Sequence, residues 1–374
     1  MSDADGMVEL LQAREHERYP RTGSTTPIAD WGRFWWELAD SSEVVRAASV
    51  HGFVLRVADL RALGVTRSRY RWAVRSGAWA APAYGVVAPV DLRHGPDVGN
   101  SGAHLAARRY HAVQGTAAAL VRPDDAVSGR TAAILHGLPT LMVPRLPELT
   151  SRAPDSIGVR RTVHLKAATL DSWQMSRWWG VEVSDVARTL VDLGREDGRD
   201  ALMAADAALR EGVVTVSELE RALQLARGWP GTRRAREVLD LVDPRAESPL
   251  ESLVRLALHD DGFPPPELQV WLGGDRVDLC WPDHGVVLEA DGREKYTADE
   301  RWAEKKREQR LRRRTEVRTV ERVTWSDVTR GWAQTSEQLW ASLGLAPPPP
   351  AEPNSSRLVS RDGRDFVADH DHLD

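Results

Sequence analysis

The sequence predicts a multidomain protein of mixed α+β and α/β class, and three observations lead to this prediction. The chain has 374 residues, which is enough for two or three domains. Hydrophobic residues make up 42% of the chain and charged residues 28%, as in ordinary globular proteins. Short apolar or β-branched runs alternate with amphipathic stretches, a pattern typical of strands that alternate with helices.

Composition shifts divide the chain into five segments. Residues 1-42 mix charge with Gly, Pro, Ser and Thr, and we expect a loosely structured extension there. Residues 43-90, 100-243 and 244-345 carry the helix and strand patterns of three domains. Residues 346-374 are proline-rich and then acidic, so we expect a disordered tail.

The segment 43-90 has the pattern of three helices followed by a hairpin. A short helix ends near residue 52, a second covers residues 57-63, and a third covers residues 66-76. Residues 78-88 alternate apolar side chains around a proline and a glycine, which indicates a small hairpin. This order of elements predicts a winged helix-turn-helix.

The third of these helices is strongly basic. It carries no acid, and its arginines are Arg67, Arg69, Arg71 and Arg75. Such a helix suits the major groove of double-stranded DNA, because arginine can meet phosphates and guanine edges there. The alternative is a basic helix face that is simply exposed to solvent. The hairpin pattern indicates a winged helix independently of the number of basic residues. We therefore expect this helix to contact DNA.

The segment 100-243 predicts a mixed α/β domain. We expect helices over residues 103-121, 128-138, 185-193 and 199-210 and strands over residues 148-151, 161-167 and 181-184. His136 ends a helix without any partner motif, which favours a structural role over a catalytic one. The nearby residues Trp173, Trp178 and Trp179 are interpreted as core or domain interface, because aromatic clusters near strands usually pack there.

The segment 244-345 predicts elements in the order α-β-β-β-α-β. A helix opens at Ser248, which is a good N-cap followed by proline. A strand over residues 268-272 comes next, and a hairpin follows within residues 276-291. A basic helix over residues 299-314, a strand over residues 317-323 and a closing helix over residues 326-343 complete the segment.

Carboxylates face one another across the hairpin of this segment. A tight turn pairs Trp281 with Val286, and this register places Asp278 opposite Glu289. Asp291 lies two residues further along and points to the same face. Like charges opposite each other, with Cβ atoms about 5 Å apart, destabilise a ladder unless a positive charge lies between them. A divalent metal ion would supply that charge.

Together these features resemble the PD-(D/E)XK, restriction-endonuclease-like superfamily, and more closely the actinobacterial branch of very-short-patch-repair-like endonuclease domains. The motifs that carry the resemblance are Ala246-Glu-Ser-Pro-Leu-Glu251, Arg276-Val-Asp278, Glu289-Ala-Asp291-Gly-Arg-Glu-Lys295-Tyr296 and Trp302-Ala-Glu304-Lys305-Lys306-Arg307. The stretch from His51 to Val86 is similar to the winged helix of AbiEi-type antitoxins. The resemblance covers about residues 43-343 and is more specific in its C-terminal motifs.

The resemblance implies a Mg²⁺ site, with Mn²⁺ as a substitute, held by hard carboxylate oxygens. It makes Asp278 and Glu289 direct ligands and Glu251 a third acid that binds or orients the metal. The superfamily normally places a lysine two positions after the second acid, where it orients or deprotonates the attacking water. In this chain that position is Asp291, which adds a ligand but no positive charge.

Lys295 is the preferred replacement for the missing lysine, because it lies nearest along the chain; Lys305 and Lys306 are alternatives. The expected catalytic residues are therefore Asp278, Glu289, Asp291 and Lys295, and the expected metal ligands are Glu251, Asp278, Glu289 and Asp291. If the lysine is simply lost, the site would bind metal or DNA without cutting.

The charge distribution favours a nucleic-acid partner although the net charge is -5. Residues 301-322 contain ten Lys or Arg against four Glu. We expect Lys305, Lys306 and Arg310 to contact DNA, because a basic rim lets a phosphate backbone approach an acidic site.

Two functions from different classes follow. The first is a metal-dependent DNA endonuclease, and the second is a non-catalytic AbiEi-like antitoxin or transcriptional regulator that acts through the winged helix. An RNA-directed nuclease is a third, weaker hypothesis, since a metal site does not read the sugar. The expected partner is double-stranded DNA, and a homodimer is compatible with the sequence.

The remaining features point to a cytoplasmic protein. The longest apolar runs are far shorter than the roughly 20 residues that cross a bilayer, and the N-terminus is acidic where a signal peptide would be basic. The sequence has one cysteine, which excludes an internal disulfide and a cysteine-cluster zinc site. We interpret this residue, Cys280, as a small core hydrophobe.

Overall fold

The computed structural model describes residues 54-75, 79-88, 99-152, 157-292 and 298-348. The chain forms two compact units, one from Met1–Leu193 and Glu211–Leu225 and the other from Gly194–Arg210 and Ala226–Asp374. The predictions for the N-terminal extension, the helix near residue 52, Lys295 and most of the tail lie outside the described residues. Among the helices that are described, none is long and apolar enough to cross a membrane.

The first unit contains a small three-stranded sheet with two helices. Its elements are β1 (Leu55–Arg56), α1 (Val57–Ala62), α2 (Arg67–Arg75), β2 (Ala80–Ala83) and β3 (Val86–Ala88). The strands pair antiparallel in the order β1-β3-β2. Leu55, Leu60, Val65 and Val87 form its core. The two helices and the hairpin lie where the sequence predicts them.

A six-stranded mixed sheet forms the larger part of this unit. Its strands are β4 (Asp125–Val127), β5 (Glu148–Ser151), β6 (Gly158–Val159), β7 (His164–Ala167), β8 (Met175–Trp178) and β9 (Val181–Ser184). They are ordered β6-β7-β5-β4-β9-β8. The helices are α3 (Gly99–Leu120), α4 (Gly129–Leu135), α5 (Val186–Glu196), which continues into the second unit, and α7 (Val216–Leu225). Strands β4, β6 and β8 are not expected from the sequence, because each is short and none has a clear alternation of apolar and polar residues.

His136 lies buried in this unit. Its Nε2 lies 2.7 Å from the carbonyl oxygen of Ser184, and its ring meets Trp178 edge-on. Trp178 is buried in the same core, and Trp179 packs against that core. The two tryptophans are core residues, as interpreted from the sequence, and the burial of His136 is compatible with the structural role expected for it.

The second unit contains a four-stranded sheet. Its strands are β10 (Glu267–Leu272), β11 (Asp275–Trp281), β12 (Val286–Ala290) and β13 (Thr319–Val323), and its helices are α6 (Gly198–Arg210), α8 (Thr232–Leu239), α9 (Pro249–Asp260), α10 (Ala298–Arg312), α11 (Trp325–Thr329) and α12 (Trp332–Leu343). Strands β10, β11 and β12 pair antiparallel, and β13 joins β12 in parallel. From α9 to β13 the order is α-β-β-β-α-β, as predicted. The closing helix is divided, because a break around Gly331 separates α11 from α12.

Apolar side chains cover the sheet of this unit in two clusters. In the first, Val254 of α9 and Leu339 of α12 pack in one core with Leu288 of β12. In the second, Leu311 of α10 packs with Cys280. Cys280 is 3% exposed, and burial raises the pKa of its thiol to about 11. It is a core residue, as the sequence predicts.

A buried ion pair joins α6 to α9. Arg255 Nη1 donates to Asp206 Oδ2 at 2.8 Å, and Ser252 Oγ donates to the same oxygen at 2.7 Å. The backbone N–H of Asp243 donates to the other oxygen at 2.8 Å. Burial raises the pKa of Asp206 to about 6, although Arg255 opposes the rise. Both helices therefore belong to one packed structure although they are distant in sequence.

Candidate functional site

The candidate site is a cavity of about 400 Å³ in the second unit. The charged residues of its lining are four acids and two arginines: Glu251, Asp278, Glu289, Asp291, Arg307 and Arg322. All four acids that the sequence predicts as metal ligands therefore line one cavity. Cys280, two residues after Asp278 on the same strand, is not among the lining residues.

Glu251 is placed by the start of α9. Ser248 caps the helix, accepting from the N–H of Glu251 at 3.2 Å, so the carboxylate lies in the first turn. Glu251 Oε2 accepts from the N–H of Glu247 at 2.9 Å and from Gln269 Nε2 at 2.8 Å. Burial raises the pKa of Glu251, these hydrogen bonds oppose the rise, and the charge of Asp278 adds to it.

Asp278 and Glu289 are placed by the hairpin register. Trp281 pairs with Val286, as predicted, and continuing the ladder brings Asp278 beside Glu289. The side chain of Glu289 is close enough to affect the pKa of Asp278, which it lowers. Asp278 Oδ2 also accepts from the N–H of Ala290 at 2.9 Å. Burial raises the pKa of Asp278, although this N–H and the nearby charge of Arg307 oppose the rise.

Two arginines supply positive charge to the acids. Arg307 of α10 donates from Nη2 to Glu289 Oε1 at 2.9 Å. Arg322 lies beside Glu289 in the parallel register of β12 and β13, and its Nη1 is 3.6 Å from Asp291 Oδ2. Arg322 also contacts Glu308, with 3.3 Å between Nη2 and Oε2. These guanidinium groups offset part of the negative charge of Glu289 and Asp291.

The cavity has the type of ligand atoms that a divalent metal prefers, but these atoms are not arranged around one point. Carboxylate oxygens are the hard ligands that Mg²⁺ and Mn²⁺ prefer. Within the described ranges, however, no three His, Cys, Asp or Glu side chains are grouped so that they could hold a metal ion together. The physical reason is that Glu289 and Asp291 point toward arginines and Glu251 toward amide donors. The metal site remains a prediction.

The residues predicted to contact DNA are all exposed. Arg67, Arg69, Arg71 and Arg75 are exposed on α2 in the first unit. On α10 of the second unit, Lys305 and Lys306 are exposed, and Lys306 Nζ lies 5.1 Å from the ring centroid of Trp302. Arg310 is held by Asp275, with 2.5 Å between Nη2 and Oδ1, so much of its charge is compensated.

Sequence reasoning missed three residues around the cavity. Arg307 was named only as the end of the motif Trp302 to Arg307 and was given no role in the site. Arg322 was not named, although a parallel pairing of β12 with β13 would have placed it beside Glu289. Gln269 carries no signal in the sequence. Its φ is +56° within β10, a conformation that costs a non-glycine residue about 1 kcal/mol or more, and its amide donates to Glu251. Such strain is common at functional sites.

Two curated proteins of Mycobacterium tuberculosis are similar to this chain. Both are described only as uncharacterized proteins, one from strain CDC 1551 / Oshkosh and one from strain ATCC 25618 / H37Rv. Each is 37% identical over 165 residues, which is 42% of this chain and 59% of the relative. The chain thus spans about three fifths of the length of these relatives. No protein-family model matches the sequence.

Proposed function

We propose that this protein is a divalent-metal-dependent endonuclease that hydrolyses phosphodiester bonds of double-stranded DNA. The observation that carries the proposal is the cavity in which four acids face two arginines. Carboxylates suit a divalent cation, and guanidinium groups suit phosphate, often through two parallel hydrogen bonds. One cavity with both chemistries suits a phosphodiester and a metal together.

The fold of the second unit supports the same proposal. The order α-β-β-β-α-β, with acids on β11 and β12, is the arrangement that the resemblance to the restriction-endonuclease-like superfamily implies. A basic helix, α10, follows the acidic hairpin and presents Lys305 and Lys306 to solvent. Exposed lysines on this helix would attract the DNA backbone toward the unit that carries the acids.

The four acids of the cavity and Lys295 each have a role in this proposal. Asp278 and Glu289 would hold Mg²⁺ or Mn²⁺, with Asp291 as a further oxygen ligand and Glu251 orienting the others. The metal would lower the pKa of a bound water and offset charge that develops on the phosphate oxygens. Lys295, outside the described residues, would orient or deprotonate the attacking water.

Nicking of supercoiled plasmid in Mg²⁺ or Mn²⁺ tests the proposal. We expect Asp278→Asn to lower the nicking rate at least about a hundredfold, because an amide replaces a charged oxygen ligand. Asp283→Asn is the matched control, since Asp283 lies in the turn of the same hairpin, is exposed and does not line the cavity. This control should nick at the wild-type rate.

A parallel assay on single-stranded and double-stranded RNA tests the choice of DNA. Cleavage of RNA alone would replace the DNA substrate but keep the site. Full-length, folded protein that cuts neither polymer in either metal would refute the nuclease function.

A non-catalytic DNA-binding regulator is the second candidate, and one observation favours it. Within the described residues the acids are paired with arginines and amide donors rather than grouped for a metal. In this function the basic helix α2 and the β2-β3 hairpin would act as a winged helix of the AbiEi type. Specific DNA binding without cleavage in any divalent ion would support it.

A further inference from the structure

Arg307 is a cationic residue in the lining of the cavity that holds the four acids. Its guanidinium donates to Glu289 Oε1 at 2.9 Å, and the same nitrogen donates to the backbone carbonyl of Arg276. The side chains of this pair are largely buried, 23% exposed for Arg307 and 10% for Glu289. An ion pair in such a place is screened less by water and salt than a surface pair.

The two arginines of the cavity do not hold their acids equally. Arg307 makes a hydrogen bond to Glu289, whereas Arg322 approaches Asp291 only to 3.6 Å. That longer distance is beyond ordinary hydrogen-bond geometry. Glu289 is also one of the two carboxylates that the hairpin brings together. Arg307 therefore pairs directly with a carboxylate that the proposed metal site needs.

A guanidinium that neutralises a carboxylate can also bind a phosphate, because both anions offer paired oxygens to its planar donors. Arg307 lines the cavity and extends from α10, the same helix that carries the exposed lysines. Turning this guanidinium away from Glu289 would release the hydrogen bonds of its Nη2 to Glu289 and to the carbonyl of Arg276. The cavity would then offer carboxylate oxygens to a cation and a guanidinium to the accompanying phosphodiester.

We propose that Arg307 is an exchangeable counter-ion: it occupies Glu289 until a divalent cation takes that carboxylate, and it then binds a phosphate oxygen of the substrate. This inference rests on the proposed nuclease function and adds a residue to it. It also explains why acids that line one cavity are not grouped for a metal. Arg307 would supply within the cavity the positive charge that Asp291 does not.

Binding of Mn²⁺ alone, measured by calorimetry on the full chain without nucleic acid, tests the first half. We expect Arg307→Gln to bind Mn²⁺ about fivefold more tightly than wild type, because the cation no longer competes with the guanidinium. Arg307→Lys keeps the positive charge but loses the planar pair of guanidinium donors. Its affinity for Mn²⁺ should lie closer to that of wild type. The matched control is Arg233→Gln, since Arg233 pairs with Glu237 at 2.8 Å on α8 and is highly exposed.

The nicking assay in saturating Mn²⁺ tests the second half. We expect the turnover of Arg307→Gln to fall at least about tenfold while its affinity for Mn²⁺ rises, a combination that simple misfolding would not produce. Circular dichroism and the Arg307→Lys variant guard against a folding defect.

The outcomes separate the two proposals. If wild type nicks DNA but Arg307→Gln has unchanged Mn²⁺ affinity and unchanged turnover, the exchange is refuted and the nuclease stands. If nothing is cut but Arg307→Gln binds Mn²⁺ more tightly, the counter-ion role stands and the nuclease fails. Weaker Mn²⁺ binding by Arg307→Gln, or no binding by either protein, would overturn the inference.

Discussion

His111 is a titratable residue buried in the first unit. It is 1% exposed, and its Nε2 lies 2.8 Å from the Thr131 hydroxyl. Burial lowers the pKa of its imidazole to about 4, and the charge of Arg108 adds to this. The folded protein therefore resists a proton that the unfolded chain accepts near its ordinary pKa of about 6.5.

The direction of this pKa shift determines how the stability of the protein changes with pH. The contribution of His111 to stability is complete above about pH 6.5 and is lost as the pH falls from 6.5 toward 4, because only the unfolded state is protonated in that window. At pH 5 the loss should be roughly 2 kcal/mol. We expect His111→Gln, whose amide can still meet Thr131, to lose less stability between pH 7 and pH 5 in urea unfolding.

The control for this measurement is His259→Gln, whose side chain in wild type is 51% exposed. It should keep the wild-type pH dependence. An equally steep loss of stability in His111→Gln and in wild type would show that another group causes it.

The acids of the cavity could be predicted residue by residue, whereas their cations could not. Asp278 and Glu289 follow from the period of two in strands and from one short turn, so local pattern is sufficient. Arg307 reaches Glu289 only because α10 packs at one particular angle on the sheet. The sequence pattern of residues 298-312 does not reveal that packing angle. The left-handed backbone of Gln269 is likewise set by tertiary contacts rather than by local sequence.

At the scale of elements, the β11-β12 turn holds the site together. Gly285 ends this turn with φ +60°, and a Cβ there would lie 3.0 Å from the carbonyl oxygen of Glu316. Its own carbonyl accepts from the N–H of Arg318 at 2.7 Å, at the start of β13. The turn therefore sets both the hairpin register and the approach of the parallel strand.

We expect Gly285→Ala to lower the free energy of unfolding by about 1–2 kcal/mol, through left-handed backbone strain and the close contact. Gly274→Ala is the matched control in the neighbouring β10-β11 turn, because a Cβ there meets nothing within 4 Å and its φ is not in the left-handed region. The control should change stability by less than about 0.5 kcal/mol. Equal stability of the two variants in urea unfolding would contradict the role of the turn.

At the scale of the whole molecule, charge is segregated. The net charge is -5, yet α2 presents four exposed arginines and no acid. Ala73 is buried on the opposite face of this helix, and Tyr70 and Val74 pack against the adjacent core, so the arginines face solvent. Binding to DNA through this face should release counterions and depend strongly on salt.

We expect Arg69→Ala combined with Arg71→Ala to weaken DNA binding at least about tenfold at low salt and to flatten the salt dependence by about two counterions. Fluorescence anisotropy across a salt series measures both quantities. Arg233→Ala, another exposed arginine on a helix, should leave them unchanged. Unaltered affinity of the double variant at low salt would exclude α2 as the DNA contact.

The order of elements could be predicted along most of the described chain, but the grouping of those elements could not. Composition shifts give only contiguous segments, whereas α6 belongs to the second unit and α7 to the first. An amphipathic helix shows in its sequence which face is buried. It does not show which partner covers that face, and α6 packs on α9, which lies much later in the chain.

The Asp206–Arg255 pair limits which fragments of the gene could encode a stable second unit. A gene fragment beginning near residue 244 would encode the acids and arginines of the cavity but would leave Arg255 without its buried carboxylate. Removing one partner of such a pair costs about 3–5 kcal/mol. A gene fragment that encodes a stable second unit would therefore have to include residues 194-210 as well. The second unit is not encoded by one contiguous stretch of the gene, because residues 211-225 belong to the first unit.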